Sequence, residues 1–136
     1  MKKEFCFEIR VRYSDTDKMG VVYYSNYFTW LEVARTEMFR SFGLDYRSIE
    51  KDKQLALPVI EAHCQYKSPA RYDDIVLIET KISKMKNTSL RFDYNLINKD
   101  TGKLLALAYT THVFIDKNRK PVKIPEEIKE VLKKSL

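Results

Sequence analysis

The strongest constraint on the fold is one long apolar segment with helical spacing, residues 25–42, in a chain whose other ordered segments alternate like strands. Ser25 and Asn26 are good N-cap residues, and Gly43 suits a C-terminal cap with positive φ. The apolar residues between these caps cover more than an ordinary stripe: Phe28, Trp30, Leu31, Val33, Ala34, Met38, Phe39 and Phe42. A helix that is apolar over so wide an arc is covered on more than one side. We therefore expect it at the centre of the core.

The remaining pattern predicts five strands and two short flanking elements. Alternation or β-branched enrichment predicts strands over 5–12, 59–67, 75–85, 88–98 and 103–116. The turn sequence at 98–102 predicts a hairpin between the last two strands. The segment 45–53 suits a short helix or a turn, and a short amphipathic helix is expected from Pro125. A run of strands after one helix favours an α+β fold, with an antiparallel sheet wrapped around the long helix.

Length and composition limit the class of protein. With 136 residues, 44% of them hydrophobic, the chain suits a single domain over 1–136. Uninterrupted apolar stretches reach only about five residues, far short of a membrane span, so no integral membrane segment is expected. Two cysteines, Cys6 and Cys64, are too few for a disulfide framework and favour a reducing, cytoplasmic setting.

The charge balance favours an anionic partner without identifying it. Twenty-five Lys and Arg residues against nineteen Asp and Glu give a net charge of +6, which suits nucleic acid, an anionic membrane surface or a phosphorylated small molecule. The basic residues are spread along the chain and interleaved with acids, and neither a recognition helix nor an aromatic ribonucleoprotein motif is evident. We therefore expect no nucleic-acid partner.

Several common chemistries need residues that this sequence lacks. It contains no nucleophile elbow of the G-x-S-x-G type, no G-x-G-x-x-G loop and no P-loop. His63 and His112 are too few and too far apart for a histidine-rich zinc site, and no metal site is predicted. His63 and Cys64 are neighbours in a strand, so their side chains point to opposite faces and cannot form a nucleophilic pair.

Two carboxylates, Asp15 and Asp17, stand in a loop just before the long helix. Free N–H groups at a helix start can hold a carbonyl oxygen, and a carboxylate nearby can attack that carbonyl or activate a water. Gly20 lets the backbone turn between the two parts. The residues alone leave two other interpretations open: both aspartates serve as turn and cap residues, or they bind a metal, which the shortage of further ligands in the loop disfavours.

The segment around these aspartates resembles the signature of the 4-hydroxybenzoyl-CoA thioesterase family. The matching residues are Tyr13-Ser14-Asp15-Thr16-Asp17, Gly20-Val21-Val22-Tyr23, Asn26-Tyr27-Phe28 and Glu32-Val33-Ala34-Arg35-Thr36-Glu37, with weaker similarity over Lys67-Ser68-Pro69-Ala70-Arg71-Tyr72-Asp73-Asp74. The resemblance implies a hotdog fold, which is a five-stranded antiparallel sheet around one long helix. It also implies an acyl-CoA thioesterase that needs no cofactor.

The resemblance implies roles for individual residues. Asp17 is the expected catalytic residue, as nucleophile or general base, and Asp15 is expected to be structural. Tyr24 occupies the position whose backbone N–H polarises the thioester carbonyl; the Tol-Pal-associated branch of the family has a histidine there, whereas the hydroxybenzoyl branch has a tyrosine. Gly20 and Val21 are expected beside the substrate.

The resemblance also implies an assembly and a site for the CoA phosphates. Family members pair their sheets edge to edge, so a homodimer or homotetramer is expected. Lys84, Lys86 and Ser89 lie where the nucleotide contacts of the family cluster, although lysines at strand ends also serve as solvated edge residues. The alternative to an enzyme is a module that binds acyl-CoA or acyl-carrier protein without hydrolysing it.

Overall fold

The computed structural model describes residues 5–136 and contains the predicted elements in the predicted order. In chain order they are β1 (Phe5–Arg10), α1 (Asn26–Ser41), α2 (Tyr46–Asp52), β2 (Val59–Tyr66), β3 (Ile75–Met85), β4 (Ser89–Asn98), β5 (Leu104–Val113) and α3 (Glu126–Lys133). This arrangement is the hotdog fold, and it confirms the expected α+β class with a long central helix and a short C-terminal helix.

The five strands form one antiparallel sheet in the order β1-β3-β4-β5-β2. The β4–β5 hairpin closes at the predicted turn, where the Gly102 N–H donates to the Asn98 carbonyl at 2.8 Å. The strands β1 and β2 lie at the two edges of the sheet. Each therefore has one side without a strand partner among the described residues.

Helix α1 packs on the inner face of the sheet, and its predicted wide apolar arc is buried. Its buried residues are Tyr27, Trp30, Leu31, Ala34, Met38 and Phe39. The Phe39 ring packs between Tyr46, at 4.9 Å, and Phe92 of β4, at 5.8 Å. Burial of this surface supplies most of the driving force that holds the helix against the sheet.

The ends of β1 and α1 place the loop between them. Strand β1 ends at Arg10, two residues earlier than the alternation predicts, because a short 3₁₀ turn forms over Tyr13–Asp15. The helix begins one residue after Ser25, whose side chain makes no capping hydrogen bond. Gly43 follows the helix with φ of +80°, as expected for its C-terminal cap.

Strand β2 is unusual because it is exposed on both faces. Its sequence alternates like a half-buried strand, yet Val59, Ile60 and Tyr66 are 45%, 60% and 45% exposed. It combines an unpaired edge with uncovered apolar side chains, which is typical of a strand that pairs with another chain.

The described part of the chain, residues 5–136, contains no helix long and apolar enough to cross a membrane.

Candidate active site

The loop that follows β1 folds back on itself and fixes the position of Asp17. The Asp17 N–H donates to the Val21 carbonyl at 2.9 Å, and the Gly20 N–H donates to the Asp17 carbonyl at 3.0 Å. Gly20 has φ of +79°, a conformation that side chains with a Cβ rarely adopt. Oδ1 of Asp17 accepts the Met19 N–H at 2.8 Å. One carboxylate oxygen thus holds the turn, and no hydrogen bond to Oδ2 forms among residues 5–136.

Asp15, two residues earlier, has a different environment. Its side chain is buried and accepts the Arg12 N–H at 2.8 Å. Its backbone carbonyl accepts the Tyr23 N–H at 2.9 Å and the side-chain amide of Asn26 at 2.8 Å. Asp15 therefore joins the end of β1 to the start of α1.

The start of α1 leaves two N–H groups without an acceptor within the described chain. The N–H groups of Asn26, Tyr27 and Phe28 donate to carbonyls three residues earlier, at 3.0, 3.3 and 3.2 Å. The N–H groups of Tyr24 and Ser25 have no such partner among residues 5–136. Both carry the partial positive charge of a helix N-terminus and can donate to a carbonyl oxygen of a ligand.

Asp17 and Tyr24 line the same pocket, which has a volume of about 410 Å³. Its other lining residues are Met19, Val21, Val22, Tyr23, Tyr27, Tyr66, Lys67, Ser68 and Pro69. A pocket with mostly apolar walls, one carboxylate and backbone donors can place a carbonyl carbon next to a nucleophile. It is large enough for a small acyl group but not for a whole nucleotide conjugate.

Two tyrosines form the wall of this pocket between α1 and β2. The rings of Tyr27 and Tyr66 meet edge to face, with centroids 5.0 Å apart. The Tyr66 hydroxyl donates to the Tyr24 carbonyl at 3.0 Å, and the Tyr27 hydroxyl accepts the Ala70 N–H at 3.4 Å. Burial raises the pKa of both phenols above the ordinary value. Both hydroxyls stay protonated at neutral pH.

The predicted site residues fall into two groups in the structure. Asp17, Val21 and Tyr24 line the pocket, and Gly20 forms the turn beside them. Lys84, Lys86 and Ser89 lie elsewhere. They are at the β3–β4 turn, at the opposite end of the sheet, because β3 has eleven residues and spans about 33 Å. One chain alone does not bring them to Asp17.

The β3–β4 turn belongs to a strongly basic end of the molecule. The Ile124 N–H donates to the Asn87 carbonyl at 2.8 Å and ties this turn to the loop after β5. The segments 84–89 and 116–123 contain six Lys and Arg residues and one Asp. Their combined net charge is +5, compared with +6 for the whole chain. Asp116 is engaged with its own loop, where its Oδ1 accepts the N–H groups of Asn118 and Lys120.

A buried polar cluster links β4, β5 and the segment before β2, away from the pocket. The Tyr94 hydroxyl and the Thr110 hydroxyl are 2.7 Å apart, and Nε2 of His112 lies 2.8 Å from the same Thr110 oxygen. Nδ1 of His112 lies 3.1 Å from the Leu57 carbonyl. Burial, with a smaller contribution from the Arg35 charge, lowers the pKa of His112 to about 4. The imidazole is therefore neutral in the folded protein at neutral pH.

Sequence reasoning did not identify Tyr66 or the Ser25 N–H. Tyr66 is the last residue of β2 and immediately precedes the segment from Lys67 that resembles the family. This position was the only indication in the sequence that Tyr66 lies near the site. No sequence pattern indicated that the Ser25 N–H is available as a donor, because this depends on which N–H groups form hydrogen bonds within the first helical turn.

The fold and the pocket together define a hotdog thioesterase, in which a loop aspartate and the residues before the central helix line one pocket. Comparison with known proteins agrees: the thioesterase-like superfamily matches residues 11–132. The chain belongs to this superfamily and is an enzyme of the thioester hydrolase class.

Similar proteins cover nearly the whole chain. The acyl-CoA thioesterase YbgC of Haemophilus influenzae is 33% identical over 126 residues, which are 92% of this chain and 91% of that protein. The acyl-CoA thioester hydrolase YbgC of Escherichia coli O157:H7 is 36% identical over 125 residues, covering 91% and 92%. The crystal structure of a 1,4-dihydroxy-2-naphthoyl-CoA thioesterase from Synechocystis superimposes with a TM-score of 0.89 at 28% identity, covering 94% of each chain.

Proposed function

We propose that this protein hydrolyses acyl-CoA thioesters to the free acid and CoA, with Asp17 as the reacting carboxylate. The observation that carries the proposal is that one pocket is lined by Asp17 and by Tyr24, whose N–H has no acceptor among residues 5–136. The names of similar proteins support CoA thioesters as the substrate class.

The pocket supports two routes, and both begin with the thioester oxygen on the Tyr24 N–H. In the first, an Asp17 oxygen attacks the carbonyl carbon, the CoA thiolate leaves, and water cleaves the resulting anhydride to the acid. In the second, Asp17 takes a proton from a water that attacks the carbonyl, and the tetrahedral intermediate expels the thiolate. The negative charge that develops on oxygen in either route is stabilised by the N–H and the helix N-terminus.

A homodimer formed through β2 is the second part of the proposal. Antiparallel pairing of two β2 edges covers the exposed Val59, Ile60 and Tyr66 and satisfies the free edge. It also reverses the direction of the partner sheet. The partner's β3–β4 turn then lies at the same end as this chain's pocket. Lys84, Lys86 and Ser89 are proposed to meet the CoA phosphates in this way.

The acyl group and the cellular setting are the finer parts of the proposal. Tyr24 corresponds to the hydroxybenzoyl branch, and the pocket walls carry four tyrosines, so we propose that aromatic acyl groups are accepted. The low cysteine count favours the cytoplasm as the setting.

The test is thiol release from short-chain, long-chain and aromatic acyl-CoAs, including 4-hydroxybenzoyl-CoA, by the parent protein and by Asp17→Asn. The amide retains an oxygen for the Met19 N–H, so the turn is preserved, but it neither attacks nor accepts a proton. We expect a loss of about a thousandfold in kcat. Asp100→Asn, the same change in the exposed β4–β5 turn, serves as the control and is expected to retain full activity.

Hydrolysis that persists in Asp17→Asn at more than a tenth of the parental kcat excludes the proposed role of Asp17. Binding of acyl-CoA by the parent without any turnover of CoA or carrier-protein thioesters supports the binding module instead.

A further inference from the structure

The phenol of Tyr66 donates a hydrogen bond to the backbone carbonyl of Tyr24, the residue whose N–H is the proposed oxyanion donor. The Tyr66 oxygen lies 3.0 Å from this carbonyl, and the N–H of the same residue has no acceptor among residues 5–136. The only other donor to this carbonyl within residues 5–136 is the Tyr27 N–H at a long 3.3 Å. Tyr66 thus makes the shorter of the two hydrogen bonds to this carbonyl within the described chain.

The contact joins two elements that the sequence separates widely. Tyr66 ends β2, and Tyr24 precedes α1 by two residues. Strand β2 is otherwise poorly buried, so the edge-to-face packing of Tyr66 on Tyr27 anchors this end of the strand to the helix. A donor fixed on the sheet therefore limits rotation of the peptide units at the helix start.

We propose that Tyr66 is a positioning residue for thioester hydrolysis, whose hydroxyl orients the Tyr24 backbone so that its N–H faces the substrate carbonyl. The proposal rests on the function proposed above. Donors that are already oriented stabilise a developing oxyanion without reorganisation during the reaction. Withdrawal of electron density from the Tyr24 carbonyl also polarises the neighbouring Ser25 N–H.

A proton-transfer role for Tyr66 fits the structure less well. Burial raises the pKa of the phenol, so the group remains a donor through the neutral range. The hydroxyl is also engaged with the Tyr24 carbonyl and the Cys64 thiol rather than directed into open space. Because the phenol does not titrate near neutral pH, the pH dependence of the reaction is expected to come from other groups.

The test is Tyr66→Phe, which removes the hydroxyl and keeps the ring packing on Tyr27. We expect kcat for the preferred acyl-CoA to fall about tenfold, the value of one ordinary hydrogen bond, with KM within twofold and the pH–rate limbs unchanged. Tyr72→Phe is the matched control: its ring packs on Tyr13 outside the pocket and its side chain is similarly exposed. This control is expected to match the parent.

A second measurement separates failure of this proposal from failure of the proposed function. The ¹⁵N amide signal of Ser25 reports on hydrogen bonding to the preceding Tyr24 carbonyl, and we expect it to move upfield in Tyr66→Phe, with or without hydrolytic activity. An unmoved Ser25 signal overturns the positioning contact. A moved signal with kcat within twofold of the parent, or with an increase in KM alone, overturns its role in catalysis. If the parent hydrolyses no thioester, the catalytic role falls with the proposed function.

Discussion

Asp15 and Asp17 have the same side chain in one loop, but the structure gives them different tasks. The Asp15 carboxylate is enclosed and accepts a backbone N–H of the preceding strand end. The Asp17 carboxylate uses one oxygen for its turn and lies at the pocket. At the residue scale, stability and activity are therefore expected to separate between the two positions.

Asp15→Ala is expected to lower the free energy of unfolding by about 1–3 kcal/mol, because it leaves the Arg12 N–H without its acceptor in a partly buried site. Urea unfolding measures this loss. In Asp17→Asn the midpoint is expected to stay close to that of the parent. The assignment of roles is wrong if Asp17→Asn proves the less stable of the two variants.

Gly20 is the other residue whose backbone the turn requires. Gly20→Ala meets no neighbouring atom within 4 Å, but its φ of +79° is unfavourable for alanine, at a cost of about 1 kcal/mol. We expect a small loss of stability in thermal unfolding and a larger loss of kcat, because the turn positions Asp17. Gly102→Ala, at φ of +72° in the β4–β5 turn, is the control. It should lose similar stability and retain kcat.

At the scale of elements, the sequence predicted the helices, the strands and their order well. The apolar arc of α1 and the β4–β5 turn are local patterns, and local patterns set element type. The exposure of β2 was not predictable, because its alternation is the same whether a helix or a second chain covers it. The distance between Asp17 and Lys84 follows from strand length and direction, which become known only when the sheet order is known.

The buried polar cluster around His112 gives folding a pH dependence. The His112 pKa of about 4 in the folded chain lies below the ordinary value of about 6.5, so the unfolded chain binds the extra proton first as pH falls. The contribution of His112 is present in full at pH 7 and above. It is lost between about pH 6.5 and pH 4, and amounts to up to about 3 kcal/mol.

Urea unfolding at pH 7 and pH 4.5 measures this effect, with His112→Gln for comparison. The variant is expected to be less stable at pH 7 but to lose less stability on acidification than the parent. Carboxylates titrate in both proteins, so the difference between their losses isolates the imidazole. Equal losses would show that His112 is not the group responsible.

At the scale of the whole molecule, the proposed dimer pairs two chains through the β2 edge. Ile60→Lys places a charge on the exposed apolar surface that the proposed dimer covers and is expected to shift the protein toward the monomer in sedimentation velocity. Leu136→Lys changes a similarly exposed apolar residue at the chain end and should leave the dimer intact. A parent protein that sediments as a monomer at all concentrations contradicts pairing through β2.

The basic end provides a test of where CoA lies. Lys84→Glu with Lys86→Glu is expected to raise KM for acyl-CoA about tenfold or more, with kcat little changed, because the two proposed contacts with phosphate would become repulsive. A pantetheine thioester, which lacks the nucleotide, should show no such increase. If both substrates respond equally, these lysines do not contact the CoA phosphates.

The concentration of positive charge in the segments 84–89 and 116–123 also makes the charge of the chain uneven along the strands. In the electrostatic field of an anionic ligand or surface, an isolated chain would turn its basic end toward the negative charge. Two chains paired antiparallel through β2 would point their basic ends in opposite directions and leave a positive region at each outer end. The monomer would therefore approach an anion with one end first, whereas the proposed dimer would attract anions equally at its two outer ends.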